Sequence, residues 1–152
     1  MRTLMTLFFP DLNVWLALSV TGHSHHLKAW RWFGMLSEDI RLGFSRYTQI
    51  GLLRLLTNSS AMAGETLTLQ NAWGVYEHWL NDPRVELYPE PRGVHEAFHH
   101  ATVPFATQAA SKWVGDCYLL AYAKQAGAVL VTFDQALLKF AHDHEYFAIS
   151  PI

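Results

Sequence analysis

Leu7-Phe8-Phe9-Pro10-Asp11-Leu12-Asn13-Val14-Trp15-Leu16-Ala17-Leu18 decides the fold class, because a short apolar strand ends at one acidic residue and a helical pattern starts directly after it. The same grammar returns near the other end of the chain. Ala128-Val129-Leu130-Val131-Thr132-Phe133 reads as a buried parallel strand, with Asp134 just past its carboxyl end. Open parallel sheets bind ligands outside those ends, so Asp11 and Asp134 are expected on one rim. Alone, each aspartate reads as a helix N-cap. With Asp116, inside a third helical segment, the set suggests a site for a divalent cation.

Strands and helices alternate between these landmarks. Helices are expected from about Leu12 and over Ser24–Leu36, where Leu27, Trp30 and Phe33 recur at helical spacing. The strand Ile40–Phe44 leads into a helix with Ile50, Leu53 and Leu56 along one side. A helix over Thr68–Leu80 stops at Asn81-Asp82-Pro83, the strand Arg84–Tyr88 follows, and a short helix lies between Pro91 and Pro104. The Asp116 helix spans Ser111–Gln125 and ends at Gly127, a residue suited to a left-handed C-terminal cap. A last short strand is expected near Phe147. There is no repeat, low-complexity tract or linker, so residues 1–152 read as a single three-layer α/β/α domain with a mainly parallel sheet.

Composition narrows the function classes. Charged residues make up 16% of the chain against a usual value of about 25%, while 51% are hydrophobic and 14% aromatic. That balance leaves more apolar surface than a monomer comfortably exposes and points to self-association or a protein partner. A net charge of −2 excludes a broad basic surface for nucleic acid, so any grip on RNA is local. The single cysteine, Cys117, excludes an internal disulfide and fits a small buried apolar side chain in a reducing cytoplasm. Asp11 and Asn13 interrupt the first apolar stretch, no Ala-x-Ala-like cleavage site follows, and eighteen apolar residues never run unbroken. A soluble cytoplasmic protein is the expectation.

The aspartates carry the chemistry. Magnesium and manganese take hard oxygen ligands, and magnesium keeps several waters, so two or three carboxylates suffice to hold either. Such an ion polarises a phosphodiester oxygen and lowers the pKa of an attacking water, without a histidine base. Asp116 shares neighbouring helical positions with Trp113, Leu119, Leu120 and Ala123, so its charge borders an apolar face and needs a partner. Lys112 is one residue away and poorly placed to pair with it.

Four blocks then resemble the PIN-domain ribonucleases, and among them the VapC toxins of bacterial type II toxin–antitoxin systems. They are Asp11-Leu12-Asn13-Val14-Trp15-Leu16-Ala17-Leu18, Thr48–Thr57, Gly115–Ala123 and Thr132-Phe133-Asp134, in the family's order. The resemblance implies a magnesium- or manganese-dependent endoribonuclease, dimeric, and held inactive by a VapB-like antitoxin. It makes Asp11 and Asp116 the principal metal ligands and Asp134 a third acidic contributor. One departure stands out: Arg46–Thr57 holds no acid, and Gly51 lies three residues before Arg54 where many relatives carry Glu. Gln49 is the expected substitute, its carbonyl orienting a metal-bound water without adding charge. Asn13 and Thr132 are expected to orient the carboxylates. Arg54 is expected at phosphate, with Arg46 and Lys112 as further RNA contacts. The expected target is a transfer RNA or another structured RNA.

Other readings compete. The missing helix acid leaves open a catalytically degenerate PIN-like module that only binds RNA or protein. His95-Glu96-Ala97-Phe98-His99 matches the H-E-x-x-H pattern of zinc proteases, yet Gly93, Pro91 and Pro104 confine it and no third ligand has a recognised spacing. His23-Ser24-His25-His26 reads as polar surface. Asn13 stands where a phosphoaspartyl hydrolase needs a second Asp, and no Gly-rich phosphate loop follows a strand.

Overall fold

The computed structural model describes residues 6–151; residues 1–5 and 152, the ends of the expected domain range, lie outside them. Elements run β1 (Leu7–Pro10), α1 (Leu12–Ser19), α2 (His26–Met35), β2 (Arg41–Phe44), α3 (Arg46–Leu56), α4 (Leu69–Leu80) and β3 (Val85–Leu87). Then come α5 (Val94–Thr102), α6 (Val114–Ala126), β4 (Val129–Val131), α7 (Gln135–Asp143) and β5 (Ala148–Ile149), with single 3-10 turns at Val103–Phe105 and Ser111–Trp113. The strand order is β3-β2-β1-β4-β5, and every described pairing is parallel. The chain runs from β1 through β2 to the β3 edge and then crosses back to β4 on the other side of β1, so the crevice at the carboxyl ends of β1 and β4 is the switch point where such sheets bind ligands.

Side chains alternate across each strand and supply two cores. Phe8, Leu42, Phe44 and Val131 join Trp15, Trp32, Leu52, Leu56 and Trp79 on one face. Phe9 and Leu130 join Cys117, Leu120, Tyr122 and Leu137 on the other. Trp15 stacks on Phe44 with ring centroids 3.9 Å apart, and Phe9 on Tyr122 at 4.5 Å, so each helical layer is anchored to the sheet by an aromatic pair.

Elements fall within a few residues of their expected bounds, but on two helices the buried face takes in only part of the expected apolar stripe. On α2 the core takes Ala29, Trp32 and Phe33, while Leu27 is 68% exposed and Trp30 44%. On α3 it takes Thr48, Gln49, Leu52, Leu53 and Leu56, and Ile50 is 48% exposed. In both, apolar residues outnumber the positions the sheet can cover. Among the described residues no helix is long and apolar enough to cross a membrane.

Candidate active site

The polypeptide turns from strand to helix at Asp11 and again at Asp134, and both side chains cap the helix that follows. Asp11 Oδ1 accepts from the Leu12 amide at 2.7 Å, and Asp134 Oδ1 from the Leu137 amide at 3.1 Å. Asp116 lies in the first turn of α6. The N-terminal ends of α1, α6 and α7 therefore carry one aspartate each, where the helix dipole favours negative charge. The cap reading of Asp11 and Asp134 is correct, and it is compatible with a site.

Thr132 ties these ends together. Its hydroxyl donates to Asp11 Oδ2 at 2.8 Å and accepts from Asn13 Nδ2 at 3.2 Å and from the Asp134 amide at 3.1 Å. Asn13 closes the ring by accepting from the Phe133 amide at 3.3 Å. Both Asp11 oxygens are thus held in direction, and the residue is buried.

The electrostatics are those of an incomplete set. Burial, then the charges of Asp11 and Asp134, push Asp116 up to about 7. Burial also raises Asp11; the Thr132 and Leu12 hydrogen bonds oppose the shift, and Asp134 adds to it. The ion pairs among the described residues are Arg84–Asp82 and Lys139–Asp143, neither of which reaches this cluster. A cation fits this set: hard oxygen donors at one rim, mutually repelling, with no ion pair to neutralise them among the described residues. Among the described residues no three His, Cys, Asp or Glu side chains close into a direct metal cage, at the aspartates or at His95 and His99. One or two carboxylates with water and substrate oxygen is the usual coordination of magnesium, so separated acids suit it.

The structure does not bring Gln49 to the aspartates. It is buried on the packed side of α3, where its Oε1 accepts from Arg46 Nη1 at 2.6 Å beside the Tyr76 hydroxyl. The face of α3 turned to the site carries Tyr47, Gly51 and Arg54; Tyr47 is about 200° from Gln49 around the helix. A methyl group on Gly51 would meet the end of the Leu12 side chain, so α1 packs closely over this turn of α3. A methyl group on Gly115 would likewise collide with the Tyr47 hydroxyl, so that ring lies directly against the α6 turn bearing Asp116. Burial, then Asp116 and Asp11, raise the Tyr47 hydroxyl, and Arg54 opposes them, so all four groups share one field. Arg54 is exposed. Sequence reasoning missed Tyr47; the available signal was its i, i+4, i+7 relation to Gly51 and Arg54.

The remaining candidates have local roles. His25 stacks on Phe133 at 4.5 Å, His26 Nδ1 meets the Ala17 carbonyl at 2.7 Å, and His23 Nδ1 accepts from the His25 amide at 3.0 Å. His95 and His99 are exposed on α5. Cys117 is buried with Sγ 3.4 Å from the Ala101 carbonyl, and burial, with Asp116, pushes its thiol up to about 11. It is a packing residue.

An all-parallel five-stranded sheet with acids gathered at its switch point defines a class, and sequence comparison agrees: the PIN domain matches residues 8–143. The chain belongs to the PIN-domain family. It is 38% identical over 134 residues to ribonuclease VapC41 of Mycobacterium tuberculosis, covering 86% of this chain and 90% of that protein. In fold it is similar to VapBC2 from Rickettsia felis, solved bound to a DNA fragment from its promoter, with TM-score 0.71, 11% identity, and coverage of 95% and 98%. It is also similar to Mycobacterium tuberculosis VapC20, a sarcin-ricin loop cleaving toxin, with TM-score 0.64, 17% identity, and coverage of 87% and 93%.

Proposed function

We propose that this chain, as a single PIN domain, is a divalent-metal-dependent endoribonuclease and the toxin of a toxin–antitoxin pair. The observation that carries the reading is the set of three electrostatically coupled carboxylates at the switch point of a PIN fold, with no ion pair to any of them among the described residues. The name of its relative VapC41 supports ribonuclease activity. Asp11 and Asp116 would hold magnesium or manganese, with Asp134 as the third acid.

When bound, such an ion polarises a phosphodiester oxygen and lowers the pKa of the attacking water. The chain's own groups supply the rest. Thr132 and Asn13 fix the Asp11 carboxylate before substrate arrives, which removes reorganisation from the reaction. The N-terminal ends of α1, α6 and α7 favour the negative charge of the phosphate. Arg54 offers donors to a phosphate oxygen from the α3 side. Gln49 belongs to the packing of α3.

An antitoxin related to VapB is the partner that the exposed apolar surface supports. A groove of about 570 Å³ between α2 and α4 is lined by Trp30, Val75 and Trp79, and Leu27, Leu69 and Trp73 are exposed on the same two helices. Homodimer formation is proposed on the same surplus of apolar surface and is checked by light scattering across concentrations. The cytoplasm is the compartment where such a pair meets its RNA.

The absence of an acid on α3 favours one second reading, a binding-only module. One experiment separates the two. Wild type and Asp116→Asn are compared on total transfer RNA with magnesium, manganese or chelator, with circular dichroism as the folding control. Cleavage by wild type with metal alone supports the proposal. Cleavage that survives in chelator or in Asp116→Asn overturns the mechanism, and none under any condition selects the binding module.

A further inference from the structure

A second cavity opens between the start of α3, the end of β3 and the α6 helix. Its volume is about 480 Å³, and Arg46, Tyr88, Glu90, Tyr118 and Tyr122 line it. It shares a wall with the proposed cleavage centre. The Tyr118 ring lies 5.5 Å from that of Tyr47, and Tyr47 rests on Gly115, the residue before Asp116.

The polar groups of this cavity are already set in place. Tyr122 donates to the Tyr88 and Pro89 carbonyls at 2.8 and 3.1 Å, which fixes the floor. Tyr118 donates to Glu90 Oε1 at 2.9 Å, which fixes the carboxylate and leaves Oε2 without a hydrogen bond among the described residues. Arg46 spends one donor on Gln49 and retains others at the mouth.

We infer that this cavity is a nucleobase subsite, in which an unpaired guanine flanking the cleaved phosphate stacks on the Tyr118 ring and donates to Glu90. The inference rests on the ribonuclease reading for its biological setting. Proteins recognise single-stranded RNA by stacking splayed bases on aromatic rings and reading their edges. A carboxylate only accepts, and the guanine Watson–Crick edge offers it two adjacent N–H donors. Uracil offers one donor between two repelling carbonyls. Arg46 is placed for the phosphate of the same nucleotide. A chain of net charge −2 has no basic sheet to hold RNA, so a shaped subsite must supply the grip.

The test uses binding without catalysis. Saturation-transfer NMR titrations of the Asp116→Asn protein in chelator, with guanosine, adenosine, cytidine and uridine monophosphates, are expected to rank guanosine first. Glu90→Gln is expected to weaken guanosine monophosphate about tenfold and leave uridine monophosphate unchanged. Tyr118→Phe keeps the ring and frees Glu90, so it is expected to retain stacking with a smaller loss. Equal binding of all four nucleotides, no binding, or indifference to Glu90→Gln overturns the inference. Cleavage mapping with active protein then separates it from the ribonuclease reading. Guanosine binding through Glu90 without any RNA cleavage leaves the subsite standing and removes the nuclease. Cleavage whose sites ignore guanosine removes the subsite alone.

Discussion

Asp82 and Asp116 are both partly buried carboxylates, and the chain treats them in opposite ways. Asp82, ahead of β3 at the amino end of the sheet, receives the Arg84 amide at 2.9 Å and the guanidinium at 2.8 and 3.0 Å. The Arg84 hydrogen bonds hold it below the usual carboxylate range. Asp116, at the carboxyl rim, is pushed up to about 7 by burial and by two further acids. This protein can supply a base to an acid that serves the fold. At the rim no ion pair among the described residues reaches the acids and Arg54 stays exposed, which is the arrangement expected where the neutralising charge comes from outside.

The most severe break of this comparison is in activity. Asp116→Asn is expected to lower metal-dependent RNA cleavage by a factor on the order of 10³, measured as initial rate on transfer RNA, with its circular dichroism unchanged. Asp82→Asn is expected to keep its cleavage rate at a temperature where it remains folded.

Metal and pH sharpen the contrast next. The folded Asp116 pKa of about 7 exceeds its ordinary value of 3.8, so the folded state binds more protons between those limits. Without metal, this group's contribution to stability is full below about pH 4 and is lost as pH rises through 7. Manganese at a hundredfold excess over its dissociation constant is expected to restore about 2.7 kcal/mol at pH 8. That gain is expected to shrink at pH 5.5, where Asp116 is protonated, and to vanish in Asp116→Asn. Melting curves at the two pH values read both effects. A metal shift equal at pH 5.5 and pH 8 would remove the aspartates from the site.

The Asp82 side of the comparison is smaller. Arg84→Ala leaves Asp82 unpaired and removes a guanidinium stacked 4.5 Å from the Phe33 ring, so a loss of about 2 kcal/mol in urea unfolding is expected. Lys139→Ala breaks the exposed pair with Asp143 at the far end of α7 and is expected to leave the melting temperature unchanged.

What could be read from the sequence follows the range of each signal. Strand ends at Asp11 and Asp134, the cap at Gly127 and the parallel sheet were legible because each depends on neighbours within a few residues. The placing of Thr132 and Asn13 beside the acids was legible because strand ends bring them to the same rim, while the route of the bonds, with Asn13 acting through Thr132, was not. Leu27, Trp30 and Ile50 were misplaced because periodicity identifies an apolar stripe and is silent on what covers it. Gln49 was assigned to the site because it is polar and near Thr48, while the rotation of α3 against the sheet is fixed by Leu52, Leu53 and Leu56. Helical spacing puts Tyr47 on the face of Gly51 and Arg54, but its contact with Gly115 joins α3 to α6 and leaves no trace in local sequence.

The Thr132 hydroxyl has a consequence in time as well as space. It bonds to a carboxylate 121 residues earlier, and the third acid lies two residues after it. A ribosome making this chain adds Asp11 well before Thr132 and Asp134. Translation therefore completes the rim only after residue 134, and a chain stalled or truncated before residue 132 carries no completed site. For a protein proposed to attack the RNA of its own cell, that order of synthesis leaves any copy interrupted before residue 132 without its assembled rim.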